Sequence, residues 1–415
     1  MACNRPAVGR IAGVVMAVTA VFLAGGCASP SGDADVTVVK IKSGTVKEAG
    51  LWYVDGSAED IFTFSRVHGK RAKESAEKTL EVTVPLGSLL RVVVGGPDDK
   101  SGLLRFPYRF DGAEKQPLVF SRSGFQGMVN GKLVHLDLAS PEAIAWLAKQ
   151  PASAAKTVRS IRLGGTSPDD ARALSHFKNS GVIVWFDFAK GSKPVKSPAV
   201  VQALIAAKPS GLFAPGGENL DELLAKLPDL KYLCSSGKRI PNLAPLRKLK
   251  FLGFKFKEDS PGSMTPLAGA TGLQSLFLEC KAATDLKSIA ALSDLRRLDL
   301  GAPKMKDLSI LSGMKKLRRL MVSCEGMKDI SDVRGMRSLR QAALVSIPST
   351  VEDLTPLESL TGLRILIVDK DILKNRKAEF DKIQKALPDT EIIGFCMGSA
   401  WIFIPILAAG FALLR

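Results

Sequence analysis

Between residues 240 and 368 the apolar positions keep a fixed rhythm. Aligning the chain on Leu273, Leu295, Leu317 and Leu339 gives three successive spacings of 22, with Leu249 and Leu363 each 24 away. At offsets −9, −6, −3, 0, +3 and +5 from these six leucines all 36 positions are apolar, where a 46% background would supply about 17. The repeat at Leu295 reads Leu286, Ile289, Leu292, Leu295, Leu298 and Leu300. The closing step of two marks a strand, and the earlier steps of three mark a tight helical return. One such unit cannot bury its leucines alone. Stacked units build a continuous core with a parallel sheet on one face.

Just before the first apolar site stand Asp285, Asp307, Asp329 and Asp353. A carboxylate there accepts hydrogen bonds from the orphan N–H groups that open the helical return, so capping is preferred over a calcium ladder. Upstream the rhythm loosens. Strand-like pieces at Leu133–Leu138, Val158–Leu163, Val182–Phe188 and Leu212–Ala214 alternate with helical pieces at Glu142–Lys149 and Val200–Ala207. Downstream, Phe380, Ile383 and Leu387 share one helix face, suited to closing the open end of the core.

The pattern LxxLxxLxxLxxLxL resembles the leucine-rich-repeat family of the short, 22-residue kind, strongly over 239–368 and weakly over 132–238. The resemblance implies an α/β fold: a leucine-rich-repeat solenoid over residues 132–395, with its parallel sheet on the concave face and a C-terminal cap. Residues 36–131 differ. Val36–Ile41, Ile61–Val67, Leu80–Val84, Leu89–Val94 and Leu103–Phe110 read as short strands between Gly, Pro and charged turns, a small β-rich domain.

The two ends are apolar. Arg5 and Arg10 precede an uncharged run from Ile11 to Gly26, short for a membrane span but suited to a signal-peptide core. It ends in Leu23-Ala24-Gly25-Gly26-Cys27, which resembles the bacterial lipoprotein signal and implies lipidation at Cys27. Residues 28–35 then form a tether. At the other end, Cys396 to Leu414 is an uncharged stretch closed by Arg415, and 396–415 is expected to be a membrane helix. With Cys396-Met397-Gly398-Ser399 ahead of it, this stretch resembles bacterial C-terminal sorting tails. Together the ends predict a membrane-anchored protein of the bacterial cell envelope, facing the periplasm or exterior.

Composition narrows the chemistry. Six cysteines in 415 residues are too few for a disulfide scaffold, and the three histidines are scattered, so no metal site and no cofactor is expected. Gly95–Gly102 carries a Lys-Ser pair but no Gly before the Lys, and reads as a turn rather than a phosphate loop. Cys280 and Cys324, two repeats apart, are too distant to bridge and read as buried thiols at strand exits. The formal charge is +17, and Lys304 to Arg340 holds ten basic residues against four acids. Such an excess attracts anionic polymers, but aromatic interleaving is absent and nucleic acid is not expected.

The remaining candidate site is the concave face. Side chains flanking the strand leucines point into the concavity: Tyr232, Phe251, Phe277, Arg297, Asp299, Arg319, Met321 and Ile365. Exposed aromatics beside Arg are what protein interfaces favour. The expected role is therefore a scaffold that binds a protein or an anionic envelope polymer, not an enzyme. The alternative is an active site within 36–131, with the repeats docking the substrate.

Overall fold

The computed structural model describes residues 36–42, 46–52, 65–66, 79–85, 89–95, 103–109, 118–186, 194–217, 219–256, 263–282, 286–311, 313–345 and 351–395. The 1–27 segment, the 28–35 tether, Asp285, most of the Gly95–Gly102 turn and residues 396–415 lie outside them.

One sheet of 14 strands runs through the protein in strict order, from β7 (Phe120–Ser123), β8 (Gln126–Val129) and β9 (Lys132–Leu138) to β20 (Glu391–Phe395). From β9 onward every pairing is parallel. The regular repeats supply β13 (Tyr232–Gly237), β14 (Phe251–Phe256), β15 (Ser275–Glu279), β16 (Arg297–Gly301), β17 (Arg319–Ser323), β18 (Gln341–Val345) and β19 (Ile365–Asp369). The irregular upstream part supplies β10 (Ser160–Leu163), β11 (Ile183–Phe186) and β12 (Gly211–Phe213). This is the α/β solenoid that the repeat implies.

The returns follow the spacing of their apolar residues. In the long upstream repeats they are α-helices: α1 (Pro141–Ala148), α2 (Pro168–Ser175), α3 (Pro198–Ala207) and α4 (Leu220–Ala225). In the 22- to 24-residue repeats they are 3₁₀ turns, as at Lys287–Ala291 and Ser309–Leu311. Backbone bonds there join Ile289 to Leu286, Leu292 to Ile289 and Leu295 to Leu292 at 2.9–3.0 Å. A hydrogen-bond period of three puts every third side chain on one face, which is the spacing of the leucines. The carboxylates cap as expected: Asp307 Oδ1 accepts from Ser309 N at 3.0 Å, Asp329 Oδ1 from Ser331 N at 2.8 Å and Asp353 Oδ1 from Thr355 N at 2.8 Å.

The core lies between sheet and returns. Leu276, Leu298, Leu320, Ala342 and Leu366 stand in register on successive strands, all buried, as do Leu278, Leu300, Val322, Leu344 and Val368. They belong to one continuous apolar cluster that runs from Leu136 to Leu387. After β19 come α5 (Lys370–Asn375) and α6 (Lys377–Ala386), and the buried Phe380, Ile383 and Leu387 close the end of the core.

N-terminal to the array are an antiparallel pair, β1 (Val36–Lys42) with β4 (Thr79–Pro85), and a sheet of order β3-β2-β5-β6. The latter comprises β2 (Val46–Trp52), β3 (Ser65–Arg66), β5 (Leu89–Gly95) and β6 (Leu103–Arg109). β2 escaped the sequence pattern. So did the β7–β8 hairpin, turned at Gly124 with φ 55°, whose strands continue the sheet of the array.

The expected membrane helix finds a contrary result. The longest described helices, α3 and α6, have ten residues, about 15 Å, half of a bilayer's hydrocarbon core. No described helix is long and apolar enough to cross a membrane. The membrane-anchored placement expected from the sequence is corrected to this extent: no membrane-spanning helix stands among the described residues, and the expected anchor at 396–415 lies outside them.

Candidate functional site: the concave layer

Parallel pairing sorts the eight predicted residues into two rows. Tyr232 and Phe251 are register partners, as are Arg297 and Arg319, and Ile365 lies further along the same row, with Ser275 and Gln341 between these members. Phe277, Asp299 and Met321 are successive partners in the second row. The expected stripe across the repeats is therefore formed.

Its expected exposure is not. All eight are buried: Phe277 and Met321 at 0%, Asp299 and Phe251 at 1%, Arg297 and Arg319 at 2%, Tyr232 and Ile365 at 3%. The side chains pack on one another across the strands. Phe251 and Phe277 have ring centroids 5.2 Å apart, and the Arg297 guanidinium sits 4.1 Å from the Phe277 centroid. Arg297 donates from Nε and Nη2 to Asp299 Oδ2 at 3.0 and 2.6 Å, and Arg319 Nε lies 3.6 Å from Asp299 Oδ1. None of the eight belongs to the solenoid core cluster. They form a second buried layer, on the far side of the sheet from the first.

Sequence reading missed the polar members of this layer. Ser275 Oγ and both ends of the Gln341 amide are buried without a hydrogen-bond partner. It also missed the N-terminal end, where β6 crosses the sheet. Phe106 stacks on His135 at 4.9 Å with the rings 8° apart, Ser160 Oγ donates to the Pro107 carbonyl at 2.8 Å, and Arg159 Nη1 donates to the Arg109 carbonyl at 2.9 Å. Gly127 of β8 permits this approach, since a Cβ there would stand 2.7 Å from the Phe106 ring.

His135 Nδ1 and Ser160 Oγ are 2.9 Å apart, the atoms of a base and a nucleophile. With the hydroxyl proton given to Pro107, Nδ1 must be the donor to Ser160. Burial pulls the imidazole down from its usual value to about 3, and both residues are fully buried. The pair joins β6 to the array and presents nothing to a substrate.

The thiols are inert as well. Cys280 and Cys324 follow β15 and β17, free and buried as expected, whereas Cys234 lies within β13. Burial pushes Cys280 up to about 12 and raises Cys234 and Cys324 as well. Among the described residues no group of three or more His, Cys, Asp or Glu is placed to hold a metal ion.

No family model and no curated protein matches the chain. Among solved structures it is similar to an internalin (inlF) from Listeria monocytogenes, at 19% identity over 60% of this chain and 71% of that one, with a TM-score of 0.40. An internalin C2 from the same organism matches 56% of this chain and 92% of its own length at 19% identity, with a TM-score of 0.33. TLR13 in its complex with ssRNA13 matches 57% of this chain and 43% of its own at 15% identity, with a TM-score of 0.38. The fold assignment rests on this chain's own strand ladder: it is a leucine-rich-repeat type of α/β solenoid.

Proposed function

We propose that the chain is a non-catalytic binding scaffold, with the concave layer as its recognition element. The observation that carries this is the layer's composition. Strand cohesion is already served by the core side of the sheet, yet the other side buries Arg297, Asp299 and Arg319 beside the unmet polar groups of Ser275 and Gln341. Burying such groups costs free energy unless something satisfies them. On this reading Tyr232, Phe251, Phe277, Met321 and Ile365 supply apolar contact and the charged cluster supplies orientation. Because the layer is buried, a partner is admitted by its opening, and the surface is latent rather than standing.

The repeat is of the short 22-residue kind, following the β-rich unit at 36–131. The 1–27 segment acts as an export signal, processed and lipid-modified at Cys27; mass spectrometry of the mature N-terminus tests that point. The scaffold reading is tested by placing a photo-crosslinking residue at Gln341 and, as comparator, at the exposed Lys328 ahead of the Ser331–Val333 3₁₀ turn. Intermolecular adducts are expected from position 341. Adducts from position 328 alone would remove the concave layer from consideration.

A further inference from the structure

The turns that feed the strands carry a charge pattern independent of the concave layer. Each of β13 to β19 is entered through a four-residue turn: 228–231, 247–250, 271–274, 293–296, 315–318, 337–340 and 361–364. These seven turns hold eleven Lys or Arg and two acids, Asp229 and Asp294. The four residues following each of the same strands hold six basic residues and four acids. The positive surplus is therefore concentrated on one lateral edge of the solenoid.

Within that edge the residue just before each strand forms a hydrogen-bonded ladder. The amides of Lys250, Gln274, Arg296, Arg318, Arg340 and Arg364 each donate to the carbonyl of the preceding member, starting from Lys231, at 2.7–2.9 Å. Six of these seven rungs are basic, and each is half-buried or exposed. Like charges on facing strands repel, and the row is partly tied across repeats: Lys250 Nζ donates to the Gly272 carbonyl at 3.4 Å, Arg340 Nη1 to the Gly362 carbonyl at 3.2 Å, and Arg364 Nη1 lies 3.7 Å from Asp389 Oδ2. The two acids of the turns are each taken by a lysine of the next repeat, Asp229 by Lys248 and Asp294 by Lys316, both at 2.6 Å.

We propose that this strand-entry edge binds a linear acidic polysaccharide. Rungs recur at the strand spacing of about 4.8 Å, so the positive charges lie in line at intervals comparable to one sugar ring. A polyuronate offers one carboxylate per ring along an extended chain. An extended acidic peptide presents same-side carboxylates about 6.8 Å apart and falls out of step within a few rungs. The seven turns contain no Phe, Trp, Tyr or His, so single-stranded nucleic acid finds no platform on which to stack its bases.

The test is titration of the full chain with polygalacturonate across a range of salt concentrations. Affinity is expected to fall linearly on logarithmic axes as salt rises, as for any binding that releases counterions. Lys231, Lys315, Arg337 and Arg364 are all exposed, and replacing all four by Gln is expected to weaken binding tenfold or more and to flatten the salt dependence. Replacing the exposed Lys238, Lys281, Lys304 and Lys306 by Gln removes the same charge elsewhere and is expected to stay within twofold. Arg337→Lys with Arg364→Lys controls for folding and is expected to retain binding. Equal losses in the two quadruple variants, at matched melting curves, would show a general charge effect and overturn the proposal. So would absence of binding by the unmodified chain, or tighter capture of poly-uridylate than of polygalacturonate.

Discussion

The two faces of the repeat sheet are equally buried and chemically unlike. Across β15 to β19 one inward row reads Leu276, Leu298, Leu320, Ala342 and Leu366, and the concave row beside it reads Ser275, Arg297, Arg319, Gln341 and Ile365. The inward row is interchangeable from repeat to repeat, since any apolar group of similar volume serves the stack. The concave row changes character along the array, from Ser275 through Arg297 and Arg319 to Gln341 and Ile365. Burial alone does not distinguish the two rows; composition does, one being uniformly apolar and the other carrying hydroxyl, guanidinium and amide groups.

That contrast can be broken most directly at two adjacent positions. Leu298→Asp places a charge among apolar neighbours and is expected to cost about 4 kcal/mol, at the severe end of single changes. Asp299→Ala removes the carboxylate that holds Arg297, leaving buried guanidinium charge, and is expected to cost about 3 kcal/mol. Converting Arg297, Asp299 and Arg319 together to Met, Leu and Met is expected to cost less than Asp299→Ala alone, because paired charges removed as a set leave none stranded. Denaturant melts of the three variants check this. A triple variant that costs as much as Leu298→Asp would mean that the concave row is ordinary core.

The β6 contact is expected to give a smaller, pH-dependent effect. His135 has a folded value of about 3, below the 6.5 of the unfolded chain. Between these values the unfolded state binds the extra proton, so stability falls as pH drops through about 6.5 and levels off near about 3. From pH 7 to pH 5 the loss is about 2 kcal/mol. In His135→Phe, stability measured at the two pH values should differ much less; an unchanged difference would place the sensitivity elsewhere. The returns are expected to respond least: Asp307→Ala should lower stability by about 1 kcal/mol through loss of its cap, with Asp307→Asn near neutral in the same melts.

The solenoid was readable because its determinants are local and repeated. A step of three along Leu286, Ile289, Leu292 and Leu295 states the return, and a step of two from Leu298 to Leu300 states the strand. Alternation also assigned Phe277 and Arg319 to the concave side. It could not tell that they are buried, because period two separates the faces of a strand without saying what each face meets. The His135–Ser160 pair depends on β6, whose Pro107 lies 53 residues before Ser160. β2 was hidden by Lys47 and Glu48, which interrupt its apolar run. The basic edge stands in the Leu-Lys or Leu-Arg step before six of the seven strands, but a residue beside a periodic leucine carries no hydrophobic period of its own.

The unbroken strand order has a mechanical meaning. From β9 to β20 each strand bonds only to its neighbours in sequence, so the molecule behaves as a row of coupled springs rather than a single knot. Tension applied through its two ends would peel units off one at a time, as a zipper opens. A damaged unit weakens the two beside it and leaves distant ones intact. Cargo held by several units could then survive partial unravelling of the rest.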